Sequence, residues 1–121
     1  MTLRFDYSFP TLNEYIDVER RNRFAAAKLK SKAIEAAKLS VFSQTRKTLN
    51  GLFDVKIRWV RVNNRHDPDN VYFGVKFILD GMVNAQVLKG DSRKHIRNIS
   101  HTIENGKSNY CEVTLRLVSK S

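Results

Sequence analysis

The run "FDVKIRWVRV", residues 53–62, constrains the fold more than any other stretch of the chain. Its apolar positions are Phe53, Val55, Ile57 and Trp59, and the polar positions between them are Asp54, Lys56 and Arg58. A period of two is the pattern of a β-strand with one buried face and one face in water. Trp59 is therefore predicted to face the core, with stacking on a nucleic-acid base as the alternative. The chain must build a sheet that is covered on one side.

The residues before this strand predict one more strand and a long basic helix. Residues 3–9 alternate at period two up to Pro10, and "TLNEYID" predicts a short helical turn capped by Thr11 or Asn13. Residues 20–47 contain no Gly or Pro and predict one helix, with a possible break at Ser40 and Ser43. Its predicted buried stripe is Phe24, Ala27, Ile34, Ala37 and Val41. Its basic side, which is either a DNA-binding face or simply a solvated one, carries Arg21, Lys28, Lys32, Arg46 and Lys47.

The second half predicts a helix followed by two strands. A helix over residues 71–84 would be capped by Asp69 or Asn70. Residues 95–104 and 110–118 are typical of strands, and Asn105-Gly106 between them indicates a hairpin. Cys111 is expected to be a buried small residue. The order β, α, β, α, β, β predicts a single α+β domain over residues 1–121. It would have a small mixed sheet, a long basic N-terminal helix and a second helix after the acidic loop.

The charge balance indicates the kind of partner. The 121 residues carry 22 Lys and Arg against 12 Asp and Glu, a formal net charge of +10. Such an excess favours a polyanion, usually nucleic acid, although a solubilising surface would have the same composition. No apolar run approaches the roughly 20 residues that cross a bilayer, and the charged N-terminus does not resemble a signal peptide. We therefore expect no membrane partner and a soluble, cytoplasmic protein.

An acidic loop, "NRHDPDN", interrupts this basic background. Asp67 and Asp69 stand one residue apart, so their carboxylates are either solvated or share a cation. Mg²⁺ prefers oxygen ligands and often takes one or two carboxylates, with water and substrate phosphate filling the other positions. Asp91 is the candidate third ligand, with Arg93 and Lys94 nearby to contact a nucleic-acid backbone. The scattered histidines and single cysteine do not have the ligand spacing of a zinc site.

A lysine is predicted to lie beside the acidic loop. Asp69, Phe73, Lys76 and Asp80 are spaced by four, three and four residues, which places them on one face of a continuous helix. Lys76 could pair with Asp80, pair with a loop carboxylate, or meet a phosphate. His66 could support a ligand, contact DNA, or be only a loop residue.

The order of these residues resembles a known family. "HDPDN", then Lys76, then Asp80, then "GDSRKHI" is similar to the pattern of the RusA family of Holliday-junction resolvases, which is common in phages and prophages. The opening "SFPTLNEYI" and the helix "ERRNRFAAAK" also resemble that family, so the resemblance covers most of the chain.

The resemblance implies a homodimeric endonuclease, dependent on Mg²⁺ or Mn²⁺, that resolves four-way DNA junctions by paired symmetric cuts in a bacterial cytoplasm. Asp67, Asp69 and Asp91 would hold the metal, Lys76 would stabilise charge on the phosphate, and Asp80 would be auxiliary. A two-fold dimer suits the near two-fold symmetry of a junction. The DNA contacts would come from Arg65, His66, Arg93, Lys94, Arg21, Lys28 and Lys32.

Two other functions fit the same residues. The chain could be a basic DNA-binding module without catalysis, in which case the aspartates are turn and cap residues. It could also be a nuclease that acts on flaps or replication forks, because preference for a branched substrate is a matter of shape.

Overall fold

The computed structural model of the protein describes residues 1–120. In chain order the elements are β1 (Thr2–Phe5), α1 (Leu12–Arg21), α2 (Arg23–Phe42), β2 (Leu52–Arg61), α3 (Pro68–Tyr72), α4 (Val75–Asn84), β3 (Ile96–Asn105) and β4 (Tyr110–Ser119). Within this part of the chain no helix combines the length and the apolar character needed to span a bilayer.

β2 is an inner strand of a four-stranded mixed sheet with the order β1-β4-β2-β3. It pairs antiparallel with β4 and parallel with β3, and α3 and α4 form the crossover between the two parallel strands. The predicted α+β class with a mixed sheet is confirmed. The predicted β3–β4 hairpin is wrong, because β2 lies between those strands and residues 106–109 pass over its end. There Gly106 N donates to Arg61 O at 2.8 Å.

β1 is shorter than predicted, and α1 is longer. β1 ends at Phe5, opposite Cys111, because β4 begins at Tyr110 and offers no partner further on. The predicted turn after Pro10 is a ten-residue helix with Thr11 as its N-cap. Thr11 Oγ1 accepts from Glu14 N at 3.3 Å, and a Glu14 carboxylate oxygen accepts from Thr11 N at 3.2 Å. This reciprocal capping box satisfies two amides at the start of α1.

The predicted single helix over residues 20–47 is wrong at both ends. Asn22 has extended backbone angles (φ −162°, ψ 110°) and separates α1 from α2. Its side-chain oxygen accepts from the amides of Phe24 at 2.9 Å and Ala25 at 3.2 Å, so it acts as the N-cap of α2. Asparagine favours such local bonds over helical backbone, which is why it ends one helix and starts another. α2 then ends at Phe42, with Ser43 as its C-cap, so the break expected at Ser40 and Ser43 is the end of the helix.

The buried face of α2 differs from the predicted stripe. Ala26, Ala33, Ala37 and Val41 are buried, whereas Phe24 is 82% exposed and Ala27 is exposed. The inward face consists of small residues because α4 packs closely against it. A Cβ atom added to Gly81 would overlap the Cβ of Ala37 and lie 2.9 Å from the amide nitrogen of Lys38.

The predicted helix over residues 71–84 is two helices, α3 and α4, separated at Phe73 and Gly74. Around the break the backbone bonds between residues three apart, as in Gly74 N to Val71 O at 3.1 Å. A Cβ on Gly74 would lie 2.9 Å from the ring of Trp59, so the glycine lets this turn approach the indole. The N-cap of α3 is Asp67, rather than the predicted Asp69 or Asn70.

The core lies between the helices and one face of the sheet. Trp59 is 2% exposed and Cys111 is 1% exposed, so both predictions of a buried side chain are confirmed. Burial raises the pKa of the Cys111 thiol to about 12, which keeps it protonated at neutral pH. The other sheet face remains open to solvent and carries mostly polar side chains.

The contact between α2 and α4 can be tested at Gly81. Gly81→Ala improves helix propensity, but its methyl group overlaps Ala37 and approaches backbone atoms of Lys38. We expect the free energy of unfolding, measured with urea, to fall by about 1–3 kcal/mol. The control is Asn84→Ala at an exposed position of the same helix, which should change it by less than about 0.5 kcal/mol. An unchanged Gly81→Ala variant would contradict this packing.

Candidate functional site

A cleft of about 390 Å³ opens where β2 and β3 end. One wall is the loop after β2, with Asn63, Asn64, His66, Asp67 and Pro68, and the other is the end of β3, with Ile103, Glu104 and Asn105. The carboxyl end of parallel strands is the usual place for a ligand in open α/β sheets. Of the predicted acidic pair, Asp67 lines this cleft and Asp69 does not.

Local hydrogen bonds hold the loop in place. Val62 N donates to the side-chain oxygen of Asn109 at 2.9 Å, and Arg65 N donates to that of Asn63 at 2.9 Å. Asp67 is in extended geometry (φ −64°, ψ 150°), as expected before proline, and Pro68 is the first residue of α3. These contacts fix the chain direction as it enters the helix.

Asp67 and Asp69 have carboxylates that no group of residues 1–120 engages in an ion pair. Both side chains are exposed. Among residues 1–120 neither carboxylate forms an ion pair, and Asp67 makes no side-chain capping bond. Their oxygen atoms are therefore free to bind a cation.

Lys76 and Asp80 are both on α4, whereas Asp69 is on α3. Because the helix breaks at Phe73 and Gly74, helical spacing does not place Asp69 on the same face as Lys76 and Asp80, as was predicted for one continuous helix. No Lys76–Asp80 ion pair forms within residues 1–120, and Lys76 is exposed. The lysine charge is thus available to another group.

Asp91 lies at the opposite end of the parallel pair. Its loop joins β3 where Ile96 pairs with Phe53, and Ile96 N donates to Ser92 O at 2.9 Å. Asp67 lies beside Ile103, which is about 23 Å from Ile96 along the strand at about 3.3 Å per residue. Mg²⁺ ligands lie at 2.0–2.1 Å, so one chain in this conformation does not bring Asp91 to the same ion as Asp67 and Asp69.

The donor set therefore fits a metal only in part. Within residues 1–120 no three His, Cys, Asp or Glu side chains come together as a complete metal site. Glu104 also lines the cleft, but its carboxylate is paired with Arg58. Two free carboxylates suit Mg²⁺, which keeps several water ligands. Asp67 and Asp69 would hold Mg²⁺ together with water and a substrate phosphate. The set of three carboxylates that includes Asp91 stays a prediction.

The predicted DNA-binding residues fall in three places. Arg65 is exposed in the loop after β2, next to His66 in the cleft. Arg93 and Lys94 are exposed in the loop before β3, with Asp91. Arg21 ends α1, and Lys28 and Lys32 are exposed on α2.

The open face of the sheet carries ion pairs that sequence patterning did not predict. Asp54 receives hydrogen bonds from Arg97 at 2.7 and 3.0 Å and from Arg116 at 2.5 Å. The bond from Arg97 is the main cause that lowers the pKa of the Asp54 carboxyl. Arg58 pairs with both Glu104 and Glu112. These charged groups form ion pairs with one another, whereas Asp67 and Asp69 form none within residues 1–120.

His101 connects the sheet to α3. Trp59 Nε1 donates to His101 Nδ1 at 2.9 Å, and the imidazole stacks on Tyr72 with ring centroids 4.3 Å apart and planes at 11°. Tyr72 is three residues after Asp69, so this stack supports the helix that carries the acidic pair. Burial lowers the pKa of His101, which favours the neutral imidazole that can accept from Trp59. A lone histidine in a strand gave no sequence signal for this role.

Comparison with known protein families gives no match. Comparison with curated proteins gives no match either. A function for this site therefore has to be inferred from the chemistry and placement of its residues.

The His101 contact makes a prediction about pH. The lowered pKa of folded His101 means that the unfolded chain binds the proton more readily as the pH falls below about 6.5. We therefore expect the free energy of unfolding to decrease below that pH and to level off below the folded pKa. Urea titrations between about pH 4.5 and 7.5 would measure this dependence.

The matched control is His101→Asn, whose amide oxygen can still accept from Trp59 but does not titrate. This variant should lose less stability than wild type over the same acidic range. An identical pH dependence in the two proteins would assign the effect to other groups.

Proposed function

We propose that the protein is a divalent-metal-dependent endodeoxyribonuclease that resolves four-way DNA junctions by paired symmetric cuts. The observation that carries this proposal is a pair of exposed carboxylates without an ion-pair partner in residues 1–120, in a chain of net charge +10: Asp67 lines a cleft, and Asp69 follows it two residues later in the first turn of α3. A basic protein attracts a phosphate backbone, and free carboxylates in that setting suit a cation bound against it. The residue order resembles that of the RusA family. This resemblance is the reason for proposing a four-way junction as the substrate and the bacterial cytoplasm as the location.

Each group has a distinct task in this proposal. Asp67 and Asp69 hold Mg²⁺ or Mn²⁺, and the ion supplies an activated water and neutralises charge on the phosphate when it is bound. Lys76 stabilises negative charge that develops on the phosphoryl oxygens. Arg65 and His66 contact the backbone beside the cleft. Asp80, one turn beyond Lys76 on α4, is an auxiliary acid.

A homodimer would bring Asp91 of one subunit to Asp67 and Asp69 of the other, although Asp91 lies far from the other two residues within one chain. In a two-fold dimer the amino end of one β2–β3 pair can face the carboxyl end of the other. Asp91 of the partner subunit would then complete the site formed by Asp67 and Asp69, with Arg93 and Lys94 beside it. Each dimer would have two equal composite sites, which matches paired cuts on opposite strands.

The catalytic proposal predicts metal-dependent nicking that needs Asp69. Wild type should make paired nicks in a labelled synthetic four-way junction with Mg²⁺, but not with EDTA, and should leave a matched linear duplex intact. Asp69→Asn should reduce the rate at least about a hundredfold, because it removes half of the acidic pair. The control is Asp17→Asn, an exposed acid on α1, which should cut like wild type. Full nicking by Asp69→Asn, or nicking in EDTA, would refute the proposal.

The composite site predicts complementation between two inactive variants. Asp69→Asn and Asp91→Asn should each be inactive as homodimers. A mixed dimer keeps one site with both wild-type carboxylates, so a mixture should regain single-strand nicking. Refolding differently tagged subunits together and purifying the mixed dimer would provide the sample. No recovery in a verified mixed dimer would mean that all ligands come from one chain.

A basic DNA-binding module without catalysis is the second candidate. It is favoured by the lack of a complete three-ligand group within residues 1–120. Binding would then fall steeply with salt and would not change with metal or with Asp69→Asn. Junction binding without cleavage in Mg²⁺ or Mn²⁺ would select this function.

A further inference from the structure

The outward face of α2 has an unusual distribution of apolar residues. The small residues Ala26, Ala33 and Ala37 point into the core. Phe24 and Leu39 point outward and are 82% and 56% exposed. A helix normally buries its largest apolar side chains and leaves small or polar ones in water. This face therefore has apolar groups whose burial the fold of one chain does not provide.

The backbone of Phe24 is held in the capped start of α2, although the side chain is exposed. Its backbone amide donates to the Asn22 side chain at 2.9 Å, in the capped first turn of α2. Within residues 1–120 its ring makes no aromatic or cation–π contact. Phe42, at the other end of the helix, has Arg46 over its ring at 4.0 Å. The Phe24 ring is thus anchored at its backbone and open on its faces.

A shallow hollow lies where α1 meets α2, close in sequence to Phe24. It has a volume of about 250 Å³ and is lined by Val18, Arg21, Asn22 and Ala25. The hollow follows from the break between α1 and α2, because the two helices diverge at Asn22. Val18 and Ala25 give the hollow an apolar floor, and Arg21 places one guanidinium at it.

The positive charge around Phe24 favours nucleic acid as the partner of this face. Residues 20–34 include six Lys or Arg and no Asp or Glu. A second copy of this face would bring like charges together, which disfavours self-association through it. A membrane surface would need a continuous apolar stripe, but Lys28, Ser31, Lys32 and Glu35 lie between Phe24 and Leu39 on this side. A nucleic acid supplies phosphates that pair with the Lys and Arg side chains, and it also supplies flat nucleobase rings on which Phe24 can stack.

We infer that this face docks nucleic acid and that Phe24 stacks on a base that has lost a stacking neighbour, as at the branch point of a junction. Lys28 and Lys32 contact the adjoining phosphates, and Arg21 meets the backbone at the hollow. The inference rests on the proposed function for the identity of the branched DNA. It adds a base-recognition residue that lies outside the acidic cleft.

The test is binding in EDTA, where no cleavage occurs. Phe24→Ala should weaken binding to a four-way junction by about 5- to 150-fold, the range that corresponds to loss of one aromatic–base stack of 1–3 kcal/mol. Its affinity for a linear duplex of the same length should change less than threefold. Phe24→Trp should restore junction binding. 2-Aminopurine at the branch point should be quenched by wild type and by Phe24→Trp, but not by Phe24→Ala.

Leu39→Ala is the matched control. It removes an exposed apolar side chain about 22 Å further along the same helix at 1.5 Å per residue, and it should bind the junction like wild type. The inference is overturned if Phe24→Ala binds junction and duplex as wild type does. It is also overturned if this variant instead loses binding to vesicles that contain phosphatidylserine, or changes the oligomeric state in sedimentation.

The outcomes separate this inference from the proposed function. Loss of branch-point quenching in Phe24→Ala supports the stacking role even if no metal produces nicks. Metal-dependent nicking by a Phe24→Ala variant with unchanged junction affinity would support the nuclease and reject the stacking role.

Discussion

The pairing of β2 on both sides is the constraint on which the rest of the structure depends. β2 has β4 on one edge and β3 on the other, so its backbone hydrogen bonds are satisfied within the sheet. Its apolar face includes Ile57 and Trp59, which are almost fully buried under the helices. Trp59 in turn contacts Gly74 at the α3–α4 break and bonds to His101 in β3. One strand thus positions both the crossover helices and the acidic loop.

This arrangement explains why the two ends of the parallel pair differ in chemistry. The loop after β2 has to turn immediately into α3, and Pro68 allows Asp67 to stay extended at the helix start. The carboxylates are left in solvent because the hydrogen bonds that hold the turn come from backbone groups and asparagine side chains. Asp91 belongs to the loop that enters β3 at the far end. A parallel crossover necessarily separates the exit of one strand from the entry of the next.

α2 shows how close packing can decide the surface of a helix. Gly81 of α4 lets that helix approach α2 at Ala37, and three of the four buried residues of α2 are alanines. The larger apolar residues Phe24 and Leu39 then occupy outward positions. The same helix carries five basic residues, so apolar and positive groups share one surface; they are Arg23, Lys28, Lys30, Lys32 and Lys38. That combination favours a partner with both rings and phosphates.

The sequence by itself determined the presence of the strands, the mixed α+β class and the buried Trp59 and Cys111, because each depends on local period or on one side chain. For the cap of α1 it left Thr11 and Asn13 as alternatives, and the structure has Thr11. It did not determine the breaks at Asn22 and Gly74, since unbroken helical spacing was compatible with both segments. It predicted a β3–β4 hairpin, because Asn105-Gly106 is a local signal, whereas strand order depends on which edges meet. Asp67, Asp69 and Asp91 were chosen by residue order, and only the tertiary structure decided that Asp91 lies at the other end of the sheet. His101 and the exposed Phe24 were likewise decided by packing, since residues distant in sequence determine which side chains find a neighbour and which remain open.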